Sequence, residues 1–271
     1  MNMRIRNTDM KAAVMFTAPF ILAVVFIVSF SMHAFAKQND MKFDLDRWDE
    51  GLLSALEAGP KILSRDAEFS VAPFPENDSA ETQAELKMLH DFVSERDDET
   101  KLRIVREGKA GLGVWTFFTE EGLLDANNYK TLKLLKLVDH DLVFFILQSK
   151  MFYSRPRPSD LDETLPLYIF NPGHPAYPSG HGAQSYMVGL ILSDFDPENA
   201  EKYMQFARDV GHRREIAGLH FPSDTAAGRK LATDVLAALR DVKIFEKKYQ
   251  DAKASYVKPT LKITELNQKE D

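Results

Sequence analysis

The chain contains no cysteine among its 271 residues. Disulfide frameworks, thiolate metal sites and cysteine nucleophiles are therefore excluded. It has no surplus of positive charge: 34 Lys and Arg against 41 Asp and Glu leave a net charge of -7. A nucleic-acid partner does not fit that balance. Strict apolar–polar alternation is scarce, which argues against a β fold. After residue 36 no apolar run is long enough to cross a bilayer. The best candidate, Leu134 to Leu147, is short and carries Lys136, Asp139, His140 and Asp141, so a polytopic membrane protein is excluded. Internal repeats and low-complexity segments are absent too. What remains is 44% hydrophobic and 28% charged, the composition of a globular protein with a real core.

The first 36 residues differ in kind. Arg4, Arg6 and Lys11 precede an apolar run from Ala12 to Phe30, which closes on Ala34-Phe35-Ala36 and Lys37. A basic start, an apolar stretch and a small-x-small ending predict a secretory signal peptide over 1–36, cleaved after Ala36. The competing reading is a retained membrane anchor, since the run approaches the ~20 residues that span a bilayer. The expected location is periplasmic or secreted.

The rest reads as an all-α, single-domain helical bundle over 37–254, with a polar tail over 255–271. Phe43 to Ala58 is amphipathic and ends at Gly59-Pro60, a strong stop. Residues 66 to 78 form a loop, after which Ser79 or Thr82 caps a helix to about Glu95. Glu95 to Glu99 reads as a solvated turn, and residues 108 to 114 as another. Tyr129 to Lys150 carries Leu132, Leu135, Val138, Leu142, Phe145 and Ile146 on one broad face, a strong helix signal. Prolines then break the pattern at Ser154-Arg155-Pro156-Arg157-Pro158, and a long loop runs from 159 to 178. Further helices are expected from Pro178 to about Ser193, from Asp196-Pro197 to about Gly218, and from Pro222 onward.

Lys150, Arg157 and Arg214 are three cations that helix packing could bring together. Burying them without a partner would cost several kcal/mol each, and a bound dianion removes that cost. Arginine offers a planar donor fork and lysine a compact charge. Singly, each is also an ordinary surface residue. Pro178-Ser179-Gly180-His181 supplies a helix start whose Ser179 and Gly180 amides, with the Ser179 hydroxyl, could hold anion oxygens. Of seven histidines, His220 stands out because Asp224 lies four residues on. With Pro222 opening a helix between them, the carboxylate can reach one ring nitrogen and leave the other free as a nucleophile. His181 would act as general acid across the anion. A metal site on His220, Asp224 and His181 is the competing reading, opposed by repulsion from the three cations.

Lys150-MFYSRP-Arg157-Pro158, Pro178-Ser179-Gly180-His181 and Arg214-EIAGL-His220-FPS-Asp224, in that order, resemble the tripartite signature of the type 2 phosphatidic acid phosphatase superfamily. Within it, the chain is similar to the soluble branch, the bacterial class A non-specific acid phosphatases. The resemblance implies an all-α fold, no metal and no other cofactor, small phosphorylated substrates, and a covalent phosphohistidine on His220. Asp224 would orient it and His181 would be the acid. Lys150, Arg157, Ser179, Gly180 and Arg214 would bind phosphate, and vanadate would inhibit. One departure stands out: the third motif usually begins Ser-Arg, and here it begins Arg213-Arg214. Whether Arg213 adds charge to the site or points away is open from sequence. So is a homo-oligomeric state. The alternatives are a vanadium-dependent haloperoxidase, for which the chain is short, a lipid or isoprenyl phosphate phosphatase held at a membrane surface, and a non-catalytic anion binder. Tyr168, Phe170, His174 and Tyr177 are candidates for leaving-group contacts.

Overall fold

Residues 40–109 and 113–260 are described by a computed structural model. The expected signal segment, 1–36, and the end of the expected tail, 261–271, lie outside the described residues. Contacts divide the chain after Met41, and every element below falls in the second unit. Its helices are α1 (Glu50–Ala58), α2 (Ala80–Asp91), α3 (Asp98–Glu107), α4 (Trp115–Glu120), α5 (Tyr129–Tyr153), α6 (Pro158–Leu161), α7 (Gly180–Phe195), α8 (Ala200–Ile216), α9 (Pro222–Arg240) and α10 (Lys243–Ala254). Short 3-10 turns lie at Leu45–Arg47, Phe92–Glu95 and Pro197–Asn199. No strand occurs among the described residues, and the all-α expectation holds.

Helix α5 is the spine. Leu135, Val138, Leu142, Phe145 and Ile146 are buried along it. They join one core with Met187, Ile191 and Leu192 of α7, Leu231 and Val235 of α9, and Phe245 and Tyr249 of α10. Asp141, a charge in the middle of α5, is fully buried. Its carboxylate accepts the backbone amides of Lys61, Ile62 and Leu63 at 2.6–2.9 Å, which ties down the chain leaving α1. Among the described residues no helix is long and apolar enough to cross a membrane.

Helix α7 packs most extensively against α8 and α9, and small residues permit it. A Cβ added to Gly228 would come within 2.6 Å of the Ser179 carbonyl oxygen, and one on Gly211 within 2.7 Å of Thr225. Gly228 thus lets α9 close directly on the N-terminus of α7, and Gly211 lets α8 close on α9.

Several boundaries depart from the sequence reading. The first helix begins at Glu50, not Phe43, because the backbone before it is engaged elsewhere. The Phe43 amide donates to the Ser154 carbonyl and the Asp49 amide to that of Gly173, both at 2.8 Å. Asp49 then caps α1 through the Leu52 amide. The charge cluster at Glu95–Glu99 is a helix start rather than a free turn: Asp97 Oδ1 accepts the Thr100 amide at 2.7 Å, with Asp98 and Glu99 in the first turn of α3. Carboxylates are favoured there by the helix dipole. Asp196 does not cap through its side chain. It accepts instead from Asn199 Nδ2 and the Tyr203 hydroxyl at 2.8 and 2.9 Å.

Candidate active site

The site is assembled from the ends of α5, α7 and α8 and the start of α9. Ser154 ends α5 in the left-handed conformation, with φ 47°, and throws the chain into Arg155-Pro156-Arg157-Pro158. A residue before proline is held extended, and Arg157 is so, with φ -73° and ψ 156°. Residues two apart in extended chain face the same side. Arg155 and Arg157 are therefore both delivered, fully buried, to the pair formed by His220 and Asp224.

That pair is closely specified. Gly218, with φ 82°, turns the chain after α8, and Pro222 starts α9 two residues beyond His220. Asp224 Oδ2 lies 3.2 Å from His220 Nδ1 and accepts the Phe221 amide at 2.9 Å. On the other side of the ring, Arg157 Nη1 is 3.1 Å from Nε2. A guanidinium can only donate, so Nε2 is an acceptor and the ring proton sits on Nδ1, facing the carboxylate. Burial, then the Arg157 charge, holds His220 well below the ordinary histidine pKa. Burial alone would raise Asp224, but the Arg155 cation and the His220 hydrogen bond hold it down to about 2. The result is a neutral imidazole beside a carboxylate anion, with the Nε2 lone pair turned away from it.

The cations behave differently from one another. All five Arg157 donors meet protein acceptors: Nε and Nη2 on the His174 carbonyl, Nη2 on His174 Nδ1, and Nη1 on the Leu219 carbonyl and His220 Nε2. Lys150 Nζ donates to the carbonyls of Pro175 and Ala176 at 2.6 and 3.1 Å. Burial, then Arg157, pushes its pKa well down. Arg214 is the exception. Its Nη2 donates to Glu107 Oε2 at 2.8 Å, yet its buried Nε and Nη1 have no partner. Burial lowers Arg214 only to about 10, so it remains a cation. Orphaned, charged, buried donors are rare and costly; these belong to a residue lining the cavity described next.

The cavity has a volume of about 240 Å³. Its polar lining includes Lys150, His174, His181, Arg214 and His220, with Gly180 beside them, and its apolar lining includes Leu52, Val143, Ile146, Ile169 and Phe170. Ser179 is the N-cap of α7, its hydroxyl accepting the Gly182 amide at 3.3 Å. The Ser179 amide is not free, contrary to expectation: it donates to the Asp224 carbonyl at 2.9 Å. It joins two motifs rather than offering an anion site. His181 Nε2 lies 2.8 Å from the Glu107 carbonyl, so that nitrogen carries the proton and Nδ1 is the available one. Burial, then Arg214, lowers His181 to about 3, so the ring is neutral near pH 7.

Arg213 points away from the cavity. Its Nε and Nη2 donate to Glu107 Oε1 at 2.8 and 2.6 Å, so Glu107 is shared between Arg213 and Arg214. Of the leaving-group candidates, Phe170 and His174 line the cavity. Tyr168 packs beside Ile104 and Ile216, and the buried Tyr177 donates its hydroxyl to the Ala72 carbonyl. Sequence reasoning missed Arg155, Glu107, which holds both Arg213 and Arg214, and Gln184, which also lines the cavity. Only Arg155 carried a signal, as the first arginine of Arg-Pro-Arg-Pro.

Residues 137–243 match the family model of the PAP2 superfamily. The segment holds all three motifs but is less than half of the chain. It is similar to curated acid phosphatases. One is a non-specific acid phosphatase of Providencia stuartii, 37% identical over 83 residues, which are 31% of this chain and 34% of that protein. Another is an acid phosphatase of Zymomonas mobilis, 31% identical over 100 residues, 34% of this chain and 38% of that one. The likeness thus spans about a third of the length of those relatives. Among solved structures, a bacterial vanadium-dependent iodoperoxidase superposes with a TM-score of 0.49 at 18% identity, over 68% of this chain and 55% of the other.

Proposed function

We propose that this protein hydrolyses phosphate monoesters through a covalent phosphohistidine on His220. The observation that carries the reading is the pairing of an unprotonated His220 Nε2, which accepts only from Arg157, with the unpartnered Nε and Nη1 of Arg214, on residues that line one cavity. The acid phosphatases among the relatives support it.

In the first step Nε2 attacks phosphorus, the bond from phosphorus to the leaving oxygen breaks, and a proton passes from His181 Nδ1 to that oxygen. His220 keeps its Nδ1 proton, and Asp224 stabilises the positive ring that forms. In the second step His181 takes a proton from water, the water oxygen attacks phosphorus, and the P–N bond breaks to release phosphate and neutral His220. Arg214, Arg157, Lys150, the Ser179 hydroxyl and the Gly180 amide hold the phosphoryl oxygens. The dianion also supplies a negative charge that faces His181. Its charge offsets Arg214 and raises the histidine pKa, so His181 becomes an acid only when substrate is present.

The same reading places the protein outside the cytoplasm. It rests on the 1–36 segment and is checked by sequencing the N-terminus of exported protein, expected at Lys37. The catalytic reading is tested by turnover of p-nitrophenyl phosphate with and without chelator, beside His220→Ala. Chelator-insensitive turnover that is abolished in the variant, and blocked by vanadate, is expected. Wild-type turnover by His220→Ala would remove the mechanism.

A further inference from the structure

The Asp224 carboxylate has two oxygens, and His220 uses one of them. The other, Oδ1, receives Nη1 of Arg155 at 2.6 Å, and both side chains are fully buried. Both terminal nitrogens of Arg155 have further partners, while its buried Nε has none. Its Nη1 also donates to the Ser223 hydroxyl at 2.7 Å, and its Nη2 to Glu85 Oε2 at 3.2 Å. The guanidinium lies over the Phe221 ring at 3.9 Å and near that of Phe74 at 4.8 Å. Glu85, on α2, closes the network by accepting the Ser223 amide at 2.6 Å and its hydroxyl at 2.8 Å. Neither Arg155 nor Glu85 is one of the residues assigned above to phosphate binding or catalysis.

We propose that Arg155, clamped by Glu85, is a positioning residue that sets the orientation of the Asp224 carboxylate and, through it, the tautomer and direction of the His220 ring. A carboxylate held only by a 3.2 Å bond to an imidazole is free to rotate about its Cβ–Cγ bond. The charge-assisted bond to Oδ1 and the Phe221 amide on Oδ2 remove that freedom. An arginine in this place cannot be a packing element alone, because its cation rests on the carboxylate that orients the nucleophile. Two carboxylates, Asp224 and Glu85, offset the burial of that cation. Glu85 lies outside the matched 137–243 segment, so the N-terminal half of the chain completes the clamp.

The inference rests on the phosphohistidine reading for its catalytic consequence but has an observable of its own. In the full chain, Arg155→Met, Arg155→Lys and Glu85→Gln are compared with wild type on p-nitrophenyl phosphate, with inorganic phosphate as competitive inhibitor. The ¹⁵N shifts of His220 report its tautomer. Misdirection of a reacting group costs on the order of a hundredfold, so Arg155→Met is expected to lower kcat by about that factor. Its inhibition constant for phosphate should stay within about twofold, the pattern of lost transition-state stabilisation. Arg155→Lys should recover part of kcat and Glu85→Gln should lose less. The His220 ring should pass from Nδ1–H in wild type to a tautomer mixture in Arg155→Met.

Folded Arg155→Met with wild-type kcat, an unchanged tautomer, or equal losses of kcat and phosphate affinity overturns the proposal. Should Arg155→Met fail to fold, the tautomer and kcat of Glu85→Gln decide the matter by the same criteria. A wild-type protein that turns over no phosphate ester would sink the phosphatase reading, while the tautomer comparison would still judge the clamp.

Discussion

Arg157 Nη1 stands 3.1 Å from His220 Nε2, on the opposite side of the ring from Asp224. One residue thereby fixes Nε2 as the unprotonated nitrogen, the one proposed as nucleophile. The same arginine must release that contact when phosphorus arrives, and a phosphate oxygen is the natural replacement. Arg157→Gln removes both the cation that depresses His220 and a donor to the transition state. Loss of such a donor costs about a hundredfold or more in turnover. The sign of the pH effect follows: without the cation the His220 pKa rises, the bare imidazole fraction at acidic pH falls, and the acid limb of kcat/KM moves to higher pH. A pH–rate profile of the variant checks this.

Arg213 and Arg214 differ in what they leave free. Arg213 spends its bonds on Glu107, whereas Arg214 keeps Nε and Nη1 unpartnered. Arg213→Ser, which restores the usual start of the third motif, is expected to destabilise the fold by about 1.5–3 kcal/mol, the range for hydrogen bonds to a charged group. Phosphate inhibition should change little. Arg214→Ser should weaken phosphate inhibition strongly. Denaturant titration and inhibition constants, run side by side, separate the two roles; a large loss of phosphate affinity in Arg213→Ser would place that side chain in the site after all.

Gly228 is the contact between α9 and the start of α7. An added methyl would meet the Ser179 carbonyl, a backbone atom with no room to turn aside. Gly228→Ala should cost about 1–3 kcal/mol through overpacking. It should also lower turnover by shifting Ser179 and His181. Melting temperature and kcat measured on the same sample test both halves of this expectation.

Three histidines of the site, His174, His181 and His220, have pKa values pushed down chiefly by burial. Each is neutral in the folded protein and protonates first in the unfolded chain, near pH 6.5. Above that pH the two states bind equal protons at these groups and no stability is lost. As pH falls from about 6.5 toward the lowered folded values, each costs about 1.4 kcal/mol per pH unit. The Asp224 contribution, with its pKa lowered to about 2, is lost only below the ordinary carboxylate range. The ligand-free protein should therefore melt at progressively lower temperature from pH 6.5 to 4, and His181→Gln should flatten that slope. An unchanged slope in the variant would show that His181 is already protonated in the folded protein.

The three motifs were legible because their residue types are chemically committed. Three cations, a Pro-Ser-Gly-His turn and a His-Asp pair four apart at a proline-opened helix have few joint uses. The long apolar face of α5 was equally plain. What escaped were elements whose reason lies in distant partners. Helix α3 begins within a cluster of acids that reads as solvated, because Asp97 finds the Thr100 amide and Ile216 of α8, with Ala217 just beyond it, packs near Ile104. Phe43 to Asp49 carries a helical pattern, but its backbone is drawn to Ser154 and Gly173.

Sequence alone determined the all-α fold and put forward the side chains proposed to hold and attack a phosphate, since spacing along a helix or across a proline is a local property of the chain. Tertiary structure decided how each is used. The orphaned donors of Arg214, the diversion of Arg213 to Glu107, the loss of the Ser179 amide to Asp224 and the Arg155–Glu85 clamp all depend on groups far apart in the chain. A buried charge or amide must find a partner wherever packing offers one, and no local pattern specifies which partner that will be.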